Sequence, residues 1–138
     1  MSNRTFTIVK PDSVRKGNFG KIISRLEAEG FRVLGVKKMA LARRQAEGFY
    51  AVHKERPFFS SLVEYMTSGP VYVAALEREN AVPALRQLMG ATDPKKAEAG
   101  TLRAEFGESI EQNAIHGSDS DENANIEIAF FFAESELL

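Results

Sequence analysis

Hydrophobic and polar positions change period several times along this chain, and each change marks an element. Residues 5–10 (TFTIVK) are β-branched and apolar and stop at Pro11-Asp12, the pattern of a buried strand ending in a turn. Phe19, Ile22, Ile23 and Leu26 then fall at i, i+3, i+4 and i+7. With Asn18 placed to cap the start and Gly30 to end it, that spacing predicts an amphipathic helix. Residues 31–41 return to extended character, and residues 43–53 have the polarity of a short surface helix. Pro57 opens another helix in which Phe58, Phe59, Leu62, Val63 and Met66 repeat at helical spacing, closed by Ser68-Gly69-Pro70. An aromatic pair in that setting ordinarily faces the core. Residues 71–76 (VYVAAL) read as a continuous apolar strand, followed by Asn80 as the cap of a helix carrying Val82, Leu85, Leu88 and Met89. Residues 90–125 keep no period beyond a short LRAEF run, so they form a long stretch that is either functional or disordered. Residues 126–132 (IEIAFFF) alternate and then turn apolar, which predicts a last strand with Ile126 and Ile128 toward the core and Glu127 on the other face.

This order predicts an α+β chain: a ferredoxin-like βαββαβ sandwich with a four-stranded antiparallel sheet covered by helices, and a long active-site loop before the last strand. It is favoured over a doubly wound parallel sheet. No repeat, low-complexity tract or linker divides residues 1–138, so a single domain is expected. At 43% hydrophobic residues the chain is long enough to close one core. Its 18 basic and 19 acidic residues leave a formal charge of −1, which argues against a nucleic-acid or anionic-membrane partner. The absence of cysteine rules out disulfides and thiolate metal sites and suits a reducing cytoplasm. Apolar runs are far shorter than a membrane helix needs, and Met1-Ser2-Asn3-Arg4 leads directly into the first strand without an address label. A soluble, cytoplasmic protein is expected.

Two histidines are present, and their settings differ. His53 has no distinctive neighbours and reads as an ordinary surface residue. His116 lies in Asn113-Ala114-Ile115-His116-Gly117-Ser118-Asp119-Ser120, a polar, glycine-containing turn. Ser118 and Asp119 can fix local backbone there, and Glu127 could accept a hydrogen bond from one imidazole nitrogen, leaving the other free as a nucleophile. A histidine that attacks a phosphoryl group needs donors and cations around the transferring charge. Arg86, on a helix with an otherwise apolar face, Arg103 in the long loop, Thr92 and Lys10 are available. Any one of them could equally be a solvated surface group, but two arginine forks beside one histidine would be meaningful. No G-x-x-x-x-G-K-[ST] loop, no G-x-G-x-x-G after a strand, no H-E-x-x-H and no kinase catalytic-loop pattern occurs, so a nucleotide here would be bound another way.

With these residues in place, the chain resembles the nucleoside diphosphate kinase family from Arg4 to Phe132. The run Asn113 to Asp119 is similar to the family's N-x-x-H-G-S-D signature around its phosphorylated histidine. In matching order stand Lys10-Pro11-Asp12, Glu47-Gly48-Phe49-Tyr50, Arg56-Pro57-Phe58-Phe59, Ser68-Gly69-Pro70-Val71, Met89-Gly90-Ala91-Thr92 and Gly100-Thr101-Leu102-Arg103. The resemblance implies ping-pong transfer of the terminal phosphoryl group from ATP or another nucleoside triphosphate to a diphosphate, through a phosphohistidine on His116. It implies that Mg²⁺ is carried by the nucleotide rather than held directly by the protein. By the same resemblance Glu127 and Ser118 orient the ring, Phe58 stacks on the base and Leu62 packs beside it. Lys10 and Asn113 hold ribose and phosphate oxygens. Arg86, Thr92, Arg103 and Tyr50 surround the phosphates and the histidine, and Asp119 serves the local charge network.

Ser13 and Ala104-Glu105 depart from the family's commonest pattern, which has glycine after Lys-Pro-Asp and glycine-aspartate after the Arg103 position. The tail after the last predicted strand is short, as in tetrameric bacterial members. A homo-oligomer is therefore implied, a tetramer first; Glu134 and Glu136, which would repel their own copies near a symmetric contact, keep a dimer open. Two other readings remain at this point. A non-enzymatic ferredoxin-like ligand-binding module would bind without turnover, and a single-stranded RNA binder is opposed by the near-zero charge and the missing RNP1 pattern.

Overall fold

A computed structural model describes residues 3–138; Met1 and Ser2, part of the expected lead into the first strand, lie outside the described residues. Strand β1 (Arg4–Val9) turns at Lys10 into a five-residue helix α1 (Pro11–Arg15), followed by α2 (Phe19–Ala28) and β2 (Arg32–Met39). Helices α3 (Arg43–Phe49) and α4 (Phe59–Met66) lead to β3 (Val71–Glu77), then come α5 (Ala81–Met89) and α6 (Leu102–Phe106). The chain closes with β4 (Ile115–Gly117) and α7 (Asp121–Phe131). The sheet order is β2-β3-β1-β4 with every pair antiparallel, the four-stranded ferredoxin-like arrangement expected from the order of elements.

Alternation along the two central strands builds a core on each face. Phe6, Ile8, Val71, Val73 and Ala75 face one side, against Met66 of α4 and Ile128 and Phe131 of α7. Val9, Ala74 and Leu76 face the other, against Ile22 and Leu26 of α2 and Leu85 and Met89 of α5. Both faces are covered, which is why β3 reads as a continuous apolar run rather than an alternating one. Each fully buried Phe, Ile or Leu contributes about 1.5–3 kcal/mol relative to exposure. Gly30, at φ +90°, ends α2 in a conformation that glycine adopts at no steric cost. Asn18 and Asn80 occupy the cap positions of α2 and α5, but neither side chain makes a capping bond. Pro11-Asp12 begins α1 rather than ending in a bare turn.

The final strand lies elsewhere than the alternation suggested. Residues 121–131 are helical: Ser120 accepts the Asn123 N–H, Asp121 and Glu122 fill the first turn, and Ala124, Ile128 and Phe131 are buried at helical spacing. Ile128 meets the core as expected, but Ile126 is 59% exposed, and Glu127 belongs to a helix face instead of a strand face. The fourth strand is β4, only three residues long and carrying His116, so the nucleophile candidate sits on the sheet edge and not in a free turn. The stretch before it contains α6 and a 3-10 turn at Pro94–Lys96.

Candidate active site

β4 pairs with β1 as Thr7↔Gly117, Ile8↔His116 and Val9↔Ile115. Four successive carbonyls around the strand are each held. The Lys10 N–H donates to Ala114 O at 2.9 Å, and Arg103 Nη2 donates to Ile115 O at 2.8 Å. The Thr7 hydroxyl donates to His116 O at 2.7 Å and Arg86 Nη1 to Gly117 O at 3.3 Å. Gly117 suits this close approach: a Cβ there would stand 2.5 Å from Met89 Sδ and 3.0 Å from Leu85 Cδ2, so any larger residue would make these α5 side chains shift.

The imidazole of His116 is gripped from α7. Its Nε2 donates to Glu127 Oε1 at 2.9 Å, and the Ser118 hydroxyl donates to the same oxygen at 2.7 Å. A carboxylate only accepts, so Nε2 carries the proton and Nδ1 keeps its lone pair, with no hydrogen-bond partner among the described residues. The rings of Phe6 and Phe49 contact the imidazole edge-on at centroid distances of 6.2 and 5.4 Å, fixing its plane. Phe49 reaches it from the end of α3.

Two cavities of about 380 and 470 Å³ meet at His116, and Tyr50, His53, Thr92 and Arg103 line both. Lys10, Phe58, Leu62 and Asn113 line the larger one only. Arg86, Asp119 and Glu127 line the other, which also has an apolar wall of Ile126 and Phe130. Every residue named from the sequence as a site candidate thus borders these cavities except Ser118, which is buried behind Glu127. Of the aromatic pair at the start of α4, Phe59 packs on the core, whereas Phe58 is 46% exposed with its ring 5.5 Å from that of His53. His53, expected to be an ordinary surface residue, lines both cavities. The sequence signal for it is its spacing of three from Tyr50, which the 3-10 turn Ala51–His53 converts into a shared wall.

Three cations, Lys10, Arg86 and Arg103, share the cavity walls with three carboxylates, Glu111, Asp119 and Glu127. Lys10 is buried, and its Nζ donates to Asn113 Oδ1 at 2.7 Å and to Glu111 O at 3.3 Å. Burial above all, then the neighbouring Arg103, lowers its pKa to about 8, against the opposing pull of Asp12 and Glu111. Burial first and Arg86 second lower Arg103 to about 10, so it stays charged at neutral pH. Asp119 is held below the usual carboxylate range, chiefly by the Asn123 side-chain amide and secondarily by Arg86. Burial, then Glu127, pushes the Tyr50 hydroxyl well up, so it remains a proton donor. Both Tyr50 Oη and Arg103 Nε are buried without a protein partner, two donors suited to an anionic ligand.

A sheet in this order, with a carboxylate-held histidine sharing cavity walls with Lys10, Arg86 and Arg103, is an α+β arrangement suited to phosphoryl transfer. The model of the family described as Nucleoside diphosphate kinase matches residues 3–137. Among curated relatives, the nucleoside diphosphate kinase of Nitratiruptor sp. is 62% identical over 98% of each chain. That of Campylobacter hominis is 61% identical over 97% of this chain and 98% of its own. The crystal structure of the Aquifex aeolicus nucleoside diphosphate kinase superposes with a TM-score of 0.97 at 45% identity, covering 100% of both chains. The Halobacterium salinarum nucleoside diphosphate kinase, solved in complex with CDP, gives 0.95 at 43% identity over 100% of this chain and 92% of that one. The chain belongs to the nucleoside diphosphate kinase family. It transfers the terminal phosphoryl group of a nucleoside triphosphate to a nucleoside diphosphate.

Proposed function

We propose that the phosphoryl group travels on His116 Nδ1. The observation that carries this is the bond from His116 Nε2 to Glu127 Oε1 at 2.9 Å, which leaves Nδ1 as the free nucleophile at the junction of the two cavities. The Nδ1 lone pair attacks the terminal phosphorus, the bond to the bridging oxygen breaks, and the nucleoside diphosphate leaves. A second diphosphate then enters and its terminal oxygen attacks the phosphohistidine, so the N–P bond breaks and the imidazole returns to its starting state. Glu127 stabilises the ring as it gains positive character during each attack, and Ser118 holds Glu127.

The nucleotide occupies the larger cavity, with its base on the exposed face of Phe58 beside Leu62. Stacking reads a π-face that every base has, so discrimination among bases is weak. Lys10 and Asn113 reach ribose and phosphate oxygens. Arg86, Arg103, Thr92 and Tyr50 surround the transferring group. The nucleotide enters as its Mg²⁺ complex, the metal neutralising charge on the phosphates, with Asp119 as the nearby carboxylate of the local charge network. His53 stands between the base end and the phosphate end and adds a further donor.

We place this activity in the cytoplasm, in one domain spanning the chain, with nucleotides as partners and without nucleic acid or membrane. Among the described residues no helix is long and apolar enough to cross a membrane. We favour a homotetramer over a dimer, because the acidic tail is neutralised within its own chain: Glu134 Oε1 pairs with Arg4 at 3.2 Å and Glu136 Oε1 with Lys37 at 3.1 Å. Initial rates with ATP and GDP varied together test the relay. Parallel double-reciprocal lines are expected; intersecting lines, which require both nucleotides bound at once, would contradict it. Native mass spectrometry of the same sample reads the assembly, and a dimer would overturn the tetramer.

Two outcomes at the nucleotide cavity follow from single residues. Phe58→Ala removes the stacking face and leaves the phosphate ligands, so ADP affinity should fall by about 5- to 150-fold, the range of about 1–3 kcal/mol for base stacking. Calorimetric titration with unchanged affinity would remove Phe58 from the site. The depressed pKa of Lys10 also gives a pH dependence with a definite sign. In the nucleotide-free enzyme Lys10 loses its charge as pH rises through about 8, so kcat/KM should decline there, since that ratio reports free-enzyme ionisations. Phosphates bound beside it raise the pKa again, so kcat should decline less. Lys10→Arg, permanently charged, should flatten the kcat/KM decline, and an unaltered profile would assign the ionisation to another group.

A further inference from the structure

Ala114 is fully buried and adopts φ +76°; the other described non-glycine residue with positive φ is Asn80. Asparagine tolerates that region, whereas an alanine Cβ clashes there. The Ile115 N–H donates to Asn113 O at 2.9 Å, closing a three-residue γ-turn about Ala114, and the positive-φ form of that turn is rare and strained. On one side of this turn Asn113 holds Lys10 Nζ; on the other, β4 begins and carries His116 two residues on.

Something must hold such a turn, and α1 does so. The Ala114 N–H donates to Asp12 Oδ2 at 3.1 Å. The other oxygen of the same carboxylate, Oδ1, accepts a short hydrogen bond from the Tyr65 hydroxyl. Tyr65 Oη in turn accepts the backbone N–H of Asp12 at 2.9 Å, closing a ring of bonds between α1 and α4. Asp12 is buried yet lines neither cavity, so its carboxylate is not spent on a ligand. Burial first, then the bond to Asp12, pushes the Tyr65 hydroxyl far above its ordinary value, so it stays a donor; Arg15 and Lys10 are the cations that face this pair.

We propose that Asp12, locked by Tyr65, is a positioning residue: its carboxylate holds the strained Ala114 turn and thereby sets His116 and Asn113 for phosphoryl transfer. Without the clamp Ala114 relaxes toward negative φ, the flanking peptides rotate, and β4 enters its pairing with β1 at a different angle. His116 then leaves its alignment with Glu127, while Phe58, Leu62, Arg86 and Arg103, which stand on other elements, keep their places. The consequence is a defect in the chemical step more than in nucleotide binding. This inference rests on the reading that His116 carries the phosphoryl group.

The test is rapid-quench measurement of phosphoenzyme formation from ATP and Mg²⁺, normalised to folded protein, beside calorimetric ADP binding. Asp12→Ala should slow formation by about ten- to a hundredfold, the scale of a small misplacement of reacting groups, while ADP affinity falls by a smaller factor through the displaced Asn113. Tyr65→Phe keeps the ring and removes only the lock, so it should slow formation by a smaller factor, and it carries the test if Asp12→Ala fails to fold. Ala114→Gly reads the cause: glycine adopts positive φ without strain, so Asp12→Ala should cost less in the Ala114→Gly background than in the wild type. Wild-type rates in both Asp12→Ala and Tyr65→Phe, a loss confined to ADP affinity, or no relief from glycine would each overturn the clamp. Absence of phosphoenzyme in the wild type would overturn the His116 assignment and the clamp with it.

Discussion

His116→Gln is expected to lower NTP–NDP phosphoryl exchange by at least about a thousandfold while leaving ADP affinity nearly intact, because it deletes the nucleophile and little else. Glutamine can still donate an amide hydrogen to Glu127, so the carboxylate and Ser118 behind it keep a partner. The cavity walls come from Lys10, Tyr50 and Asn113 as well as from α4, α5, α6 and the segment around Thr92, and the side chain hydrogen-bonded to the imidazole is Glu127. Exchange assays beside calorimetric titration separate the two effects. Residual exchange near the wild-type rate would remove His116 from the reaction, and a parallel loss of binding would mean that the ring supports the cavity rather than the chemistry.

Arg103→Ala should be nearly as damaging, and for two reasons that can be separated. The guanidinium donates to Gly90 O at 3.2 Å and to Ile115 O at 2.8 Å, tying the end of α5 to β4. Its Nε is buried without a protein partner, and the residue lines both cavities together with His116. Removing one preorganised donor of this kind costs about 10²–10³ in kcat, and the buried Ile115 carbonyl left unsatisfied costs about 1–3 kcal/mol in stability. A single ammonium cannot reproduce the fork, so Arg103→Lys should recover part of the nucleotide affinity and little of kcat. Urea denaturation and single-turnover rates read the two losses separately. A lower denaturation midpoint with an unchanged rate per folded molecule would make Arg103 a structural residue only.

The elements legible in the sequence were those whose pattern is long enough to repeat. α2 and α5 complete two turns of apolar spacing, and β1 and β3 are uninterrupted runs between turn residues. β4 is too short to carry a period; pairing with β1 and the donors from Thr7, Arg86 and Arg103 make it a strand. α7 stands where the sequence predicts a strand because Ile126-Glu127-Ile128 alternates over three residues, which also fits a helix. The decisive signal lay upstream, where Ser120, Asp121 and Glu122 form a helix start and Ala124, Ile128 and Phe131 keep the longer period.

The candidate site divides along the same line. His116 and its polar neighbours stand together in the sequence, so their grouping needed no structure. Arg86 and Arg103 lie on different helices, and only folding brings both to β4, through Gly117 O and Ile115 O. Their common address came from the resemblance of ordered motifs rather than from residue chemistry. His53 reads as an ordinary surface residue in the sequence because its spacing of three from Tyr50 acquires meaning only when the turn after α3 brings it beside Tyr50 and Phe58. Glu134 and Glu136 read as free negative charge in the sequence, but Arg4 and Lys37, more than ninety residues away, accompany them in the fold.

The most direct measurement is intact mass spectrometry after brief incubation with ATP and Mg²⁺, followed by addition of GDP, with His116→Gln alongside. One acid-labile phosphoryl adduct on the wild type, absent from His116→Gln and leaving as GTP when GDP is added, is the expected result. Formation of GTP without any adduct on the wild type, or an equal adduct on His116→Gln, would contradict transfer through His116.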